Sequence, residues 1–275
     1  MTTNRDGAGD KVFAGAIPRI YETLLVPLIF EPYANDLAAR VAQARPLRVL
    51  EVAAGTGVVT RALDAALPAD AAIVATDLNP AMLAEAGARG TNRAVEWRPA
   101  DAQALPFGDA SFDAVVCQFG VMFFPDKARA FGEARRVLRE GGIYAFNVWD
   151  RIEDNEFADE VTRAIGALFP ADPPRFLART PHGYHHRDVL ARDLAAGGFT
   201  AHPRIDTVSA RSRADSARIP AVAYCQGTPL RGEIEARDAT RLGEATDAGA
   251  AAIAARFGSG SVDGRIQAHV VTVAR

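Results

Sequence analysis

From Arg48 to Trp149 the chain keeps one rhythm, short apolar runs alternating with segments of helical spacing. "RVLEVAA" (48–54) leads into "TRALDAAL" (60–67), and "AAIVATDL" (71–78) into "NPAMLAEAGARG" (79–90). "AVEWRPAD" (94–101) and "FDAVVCQFG" (112–120) follow, then the helical "KARAFGEARRVLRE" (127–140), stopped by Gly141-Gly142, and "IYAFNVW" (143–149). Strands this apolar throughout are covered on both faces, which predicts a parallel sheet between helical layers. Right-handed crossovers then leave a doubly wound sheet. Asn79 before Pro80 is a good helix start, a capping side chain followed by a ring already set for the first turn.

Outside this stretch the rhythm changes. "LLVPLIF" (24–30) is too short to span a bilayer and is broken by Pro27, so it reads as part of a buried N-terminal helix pair. Helices are predicted over 153–170 and 186–199, a strand in "TAHPRIDTVSA" interrupted at Pro203, and a last strand in "GRIQAHVVTVAR". The expected fold is therefore α/β: a doubly wound, mostly parallel seven-stranded sheet with helical additions at the N-terminus and after the fifth strand. A chain of 275 residues buries a core without disulfide or metal staples. Cys117 and Cys225 stand alone, with no second ligand at metal spacing, so no metal is expected and a reducing cytoplasmic setting fits. The first residues lack a basic stretch followed by an unbroken apolar core, the mark of a secretory signal. A net charge of −3 argues against a nucleic-acid partner held through phosphates.

Ligands of doubly wound sheets sit at the carboxyl ends of the strands. The loops after Ala53, Leu78, Asp101 and Gln118 are the ones to inspect. Gly55 and Gly57 lie where the first strand passes into a helix, a turn that exposes backbone amides near a helix N-terminus. The dinucleotide fingerprint needs a third glycine where Thr60 stands. Asp77 ends the second strand, and a carboxylate there can accept from ribose hydroxyls, of NAD and of S-adenosylmethionine alike. Glu51, inside the first strand just before the turn, suits the ammonium of a methionine moiety better than a dinucleotide.

"VLEVAAGTG", "VATDLNPAML", "ADAQALPFGDASFDAVVCQFGVMFFPD" and "EARRVLREGGIYAF" resemble, in order and spacing, the class I S-adenosylmethionine-dependent methyltransferases. The likeness covers roughly residues 45–150 and points to the small-molecule branch that includes the ubiquinone and menaquinone biosynthesis C-methyltransferases. It implies a Rossmann-like methyltransferase fold. With no clean linker, the chain reads as a single methyltransferase domain over 1–275, with 1–45 as an N-terminal helical cover, 46–150 as the cofactor-binding core and 151–275 as acceptor-pocket helices and the last two strands. The likeness also implies roles. Glu51, Ala53, Gly55 and Gly57 frame the methionine end, Asp77 takes the ribose, and Leu78 and Met82 pack on the adenine. Asp101 and the Ala102 amide meet the adenine's polar edge, Gln118 and Phe119 lie beneath the sulfonium, and Tyr21 covers the cofactor. The family usually has Asp where Glu51 stands and often Gly-Cys where Ala53-Ala54 stand.

The implied partner is a small organic methyl acceptor, taken by a monomer or homodimer. A sulfonium is already activated, so alignment of nucleophile, methyl and sulfur supplies most of the catalysis, roughly 7–11 kcal/mol in well-oriented systems. A general base is needed only for a protonated acceptor. His185 and His186 in "PHGYHHRD" are candidates for it, although the reading that fits them better is that one of them caps or precedes the helix at Arg187, with Tyr184 packed beneath. Phe123 and Phe124 read as core, Phe119 as site. A non-catalytic sensor of S-adenosylmethionine or S-adenosylhomocysteine, and an NAD-dependent oxidoreductase, are the alternatives.

Overall fold

A computed structural model describes residues 17–275. The part of the expected N-terminal cover that precedes Ile17 lies outside the described residues. The chain divides into two compact units, one of residues 17–30, 150–183 and 209–267, the other of residues 31–149, 184–208 and 268–275.

The sheet contains β1 (Arg48–Val52), β2 (Ala72–Asp77), β3 (Val95–Pro99), β4 (Phe112–Gln118), β5 (Leu138–Trp149), β6 (Arg204–Ala214) and β7 (Val262–Ala274). Their order is β3-β2-β1-β4-β5-β7-β6. The first five strands pair in parallel and β7 runs antiparallel to β5. This is the doubly wound sheet the alternation predicts. Strand order reverses between β1 and β4, and a crevice opens at such a switch, beyond the strands' carboxyl ends.

Helices α2 (Glu31–Gln43), α3 (Val58–Ala66), α4 (Pro80–Arg89), α5 (Lys127–Val137) and α8 (Arg187–Ala196) belong to the sheet unit. Leu37 and Val41 of α2 and Val59 and Leu63 of α3 share one buried cluster with Val49, Ile73, Val116 and Val270 of the strands. The sheet therefore takes residues 31–43 into its own core. Asn79 caps α4 as its sequence predicts, its side chain accepting from the Ala81 amide at 2.9 Å.

Three local expectations change. The helix predicted over 127–140 ends at Val137, because Leu138 already pairs with Phe112 in the sheet. Gly141 and Gly142 are then strand residues at an irregularity in the β4–β5 register, not a helix stop. A Cβ on Gly142 would lie 2.9 Å from the carbonyl oxygens of Arg139 and Asp113. The strand expected to be interrupted at Pro203 instead begins just after it, at Arg204, since proline has no amide to give the ladder.

In the other unit, residues 17–30 wind as a short α1 (Ile17–Ile20) and a π-helical stretch, Tyr21–Phe30, with Pro27 inside it. Helix α2 continues directly from that stretch, so among the described residues Pro27 does not interrupt the helical winding. Pro27 contributes no N–H to this ladder in either winding. Helices α6 (Glu156–Leu168), α7 (Phe176–Arg179), α9 (Arg218–Gln226), α10 (Leu230–Asp238) and α11 (Leu242–Phe257) complete this unit. Gly249 lets α11 approach α6 and α9, where its missing Cβ would touch Val161 and Ala221 at 3.4 and 3.7 Å. Among the described residues no helix is long and apolar enough to cross a membrane.

Candidate functional site

The turn after β1 is built from strained and from permissive backbone. Ala53 sits at φ 56°, Gly55 at 57° and Gly57 at 83°. The Gly55 amide donates to Asp77 Oδ2 at 2.8 Å, and the Asn79 amide donates to Oδ1 at 2.8 Å. With the Leu78 amide these fill about three of a carboxylate's four acceptor positions. Asp77 thus ties the end of β2 to the glycine turn and keeps limited capacity for a ligand. Burial raises its pKa, and those three amides pull it back.

Gly57 has a packing reason as well as a conformational one. A Cβ there would lie 3.0 Å from Trp97 and 3.1 Å from Ala86. Gly55 has more room, the nearest atom being the Met82 methyl at 3.6 Å.

Glu51 is 1% exposed in the middle of the sheet. Its Oε2 accepts from the Thr60 hydroxyl at 2.5 Å, and its backbone carbonyl accepts from the Thr76 hydroxyl at 2.9 Å. Burial pushes its pKa up to about 8, against the pull of Thr60 and Arg61. Thr60, the residue in place of the third fingerprint glycine, is therefore the partner of Glu51.

The loop after β4 meets the loop after β1 through Gly120, whose Cβ would come within 2.6 Å of the Ala53 Cβ. Phe119, at φ 50°, is another strained non-glycine residue in this region. Its amide donates to both the carbonyl and the Oδ1 of Asn147, at 3.1 and 3.0 Å. Asn147 also donates to Gln118 Oε1 at 3.2 Å. The Phe119 ring stacks on Trp149 at 3.8 Å and 4°, and Tyr33 meets both rings edge-on. Thr60, Asn147 and Trp149 were not singled out from the sequence as site residues. A polar Asn147 inside the apolar "IYAFNVW" was the available signal, since a fully buried amide must have partners.

Leu78, beside Asp77, is 57% exposed, unusual for so large an apolar side chain, while Met82 is buried. Asp101 accepts from the Gln103 amide at 2.9 Å and bridges to Ala104, with Ala102 buried between them. Tyr21 lies in the helical unit, stacked on Phe30 at 4.9 Å. Phe123 and Phe124, expected in the core, are only half-buried; Val121 and Met122 take the buried positions.

The histidine cluster divides between the two units. His182 is buried in the helical unit, its Nδ1 2.8 Å from the Asp150 carbonyl oxygen. His185 and His186 lie in the sheet unit with ring centres 4.2 Å apart, and His186 directly precedes α8 without capping it. Tyr184 bonds Asp193 at 2.9 Å and carries the Lys127 ammonium 4.6 Å from its ring centre. Burial pushes the Cys117 thiol far above its usual range, which leaves no thiolate at the end of β4. No group of three metal-ligating side chains occurs among the described residues.

A family model described as a methyltransferase domain matches residues 50–146. The chain is 44% identical over 182 residues to a demethylmenaquinone methyltransferase of Thermus thermophilus, covering 61% of this chain and 79% of that one. It is 41% identical over 177 residues to a ubiquinone/menaquinone biosynthesis C-methyltransferase of Methylobacterium nodulans, covering 59% and 69%. The match to an uncharacterized protein of Mycobacterium tuberculosis, 42% identical over 137 residues, takes in 49% of this chain and spans about half (47%) of that relative. The fold is that of the YcgJ protein of Bacillus subtilis, TM-score 0.56 at 17% identity over 89% of this chain and 98% of that one. It is also that of the [4+2]-cyclase SpnF, TM-score 0.55 at 21% identity over 89% and 80%. The chain belongs to the class I S-adenosylmethionine-dependent methyltransferases.

Proposed function

We propose that the protein transfers a methyl group from S-adenosylmethionine to a small organic acceptor by in-line displacement. The observation that supports this reading is the tie between Asp77 and the Gly55 amide, which fixes the strand-end carboxylate beside a left-handed glycine turn. The residues fit the cofactor's parts. Glu51 is a buried acid suited to an ammonium, and the exposed Leu78 offers an apolar face to a purine. Asp101 offers a carboxylate to an exocyclic amine. Bound here, S-adenosylmethionine would supply an electrophilic methyl group.

The chain's own contribution is placement. Glu51, Ala53, Gly55 and Gly57 hold the methionine end, Asp77 the sugar, Leu78 and Met82 the base, with Asp101 and the Ala102 amide at its polar edge. Gln118 and Phe119 form the floor, held by Asn147 and Trp149. A rigid aromatic floor excludes water and limits the approach of the acceptor, which is where an alignment mechanism gains its rate. His185 and His186 remain the candidates for accepting a proton when the acceptor arrives protonated. The acceptor is a small metabolite, and the protein acts in the reducing cytoplasm as a monomer or homodimer, its two cysteines buried and free.

Calorimetry with S-adenosylmethionine, S-adenosylhomocysteine and NAD tests the reading. Binding of both adenosyl compounds, followed by methylation of a member of an acceptor panel, is the expected result. Binding of NAD alone overturns it. Tight binding of the sulfonium with no turnover on any acceptor replaces it with the sensor.

A further inference from the structure

Glu51 is held at two points by threonine hydroxyls from neighbouring elements, Thr76 at its carbonyl and Thr60 at its carboxyl. The second contact is the less ordinary. A threonine in a helix commonly turns its hydroxyl back to a carbonyl one turn earlier. For Thr60 those carbonyls belong to Thr56 and Gly57, and both already accept from Arg61, through its Nη1 at 2.8 Å and its amide at 3.0 Å. The Thr60 hydroxyl instead reaches out of α3 to β1. Thr60 is fully buried, so this bond is not shared with solvent.

A glutamate carries one more torsion than the aspartate usual in the family, and a free glutamate at this place would sample several orientations. We propose that Thr60 is a positioning residue, which fixes the Glu51 carboxyl in the one orientation that serves the amino-acid end of the cofactor. The inference rests on the cofactor reading above and assigns a role to a residue that touches Glu51, not the ligand. It also accounts for the departure from the dinucleotide fingerprint: a glycine at position 60 would leave this buried acid without its side-chain donor.

The test compares two adenosine ligands on the full chain, S-adenosylhomocysteine, which has the amino-acid end, and 5′-methylthioadenosine, which lacks it. Thr60→Val keeps the shape and removes the donor. Its affinity for S-adenosylhomocysteine should fall about tenfold, the upper scale of a single lost hydrogen bond. Its affinity for 5′-methylthioadenosine should hold, and Thr60→Ser should restore the first ligand. Thr60→Ala repeats the comparison if the valine variant does not fold. Equal losses on both ligands, or no loss on either, overturn the inference. A wild-type protein that binds neither ligand overturns the cofactor reading itself, whatever Thr60 does.

Discussion

The turns after β1 and β4 solve the same problem with different means. Each must turn the chain at the carboxyl end of a central strand. The β1 turn does so mainly with Gly55 and Gly57, residues that adopt positive φ freely, beside one small strained residue, Ala53 at φ 56°. The β4 turn places Phe119 at φ 50° and holds it there with two bonds to Asn147 and a stacked Trp149. A bulky residue in that region stores about 1–3 kcal/mol of strain, which persists only when its surroundings over-determine it. One turn concentrates its positive φ in glycines, strains only the small Ala53 and is tied to Asp77 through Gly55. The other strains a bulky residue and depends on Asn147 and Trp149.

The largest effect should come from Phe119→Ala. It removes a buried ring from the stack with Trp149 and Tyr33, and should cost about 3–5 kcal/mol in urea unfolding. A cost under 1 kcal/mol would mean that the ring does not hold the turn. Next comes the pH response of Glu51. Its folded pKa, about 8, lies above its unfolded value, so its contribution to stability is full below the unfolded pKa and is lost as pH rises through the folded one. Wild-type stability should therefore fall between about pH 4.5 and 8, and Glu51→Gln should flatten that slope. Parallel curves would show that the acid is solvated.

Asp77→Ala should weaken S-adenosylmethionine binding by roughly 1–3 kcal/mol. Because it also releases the Gly55 amide, it should lower the melting temperature as well; unchanged affinity would remove Asp77 from the site. The smallest effect should be that of Gly55→Ala, about 1–2 kcal/mol for a left-handed backbone with an open Cβ position. Gly57→Ala should exceed it, since Trp97 and Ala86 already fill that space. The reverse order would mean that packing around Gly57 yields more easily than backbone strain at Gly55.

Much of the sheet unit was legible. Strand and helix periods separate cleanly from 48 to 149, and Asn79-Pro80 announced α4. The end of α5 was not legible, because Leu138 pairs with Phe112 and pairing overrides helical spacing. At the site, glycines and strand-end acids stood out by residue type. Thr60 and Asn147 did not, since a buried threonine or asparagine gains meaning only from the atom opposite it.

By itself the sequence determined the order of elements and the doubly wound class and pointed to the loops at the strands' carboxyl ends, because periodicity and turn residues are local properties of the chain. Only the tertiary structure decided which polar groups meet: Thr60 with Glu51, Asn147 with Phe119, Asp77 with Gly55. Hydrogen bonds are short and directional, so their partners follow from positions in space that spacing along the chain does not specify.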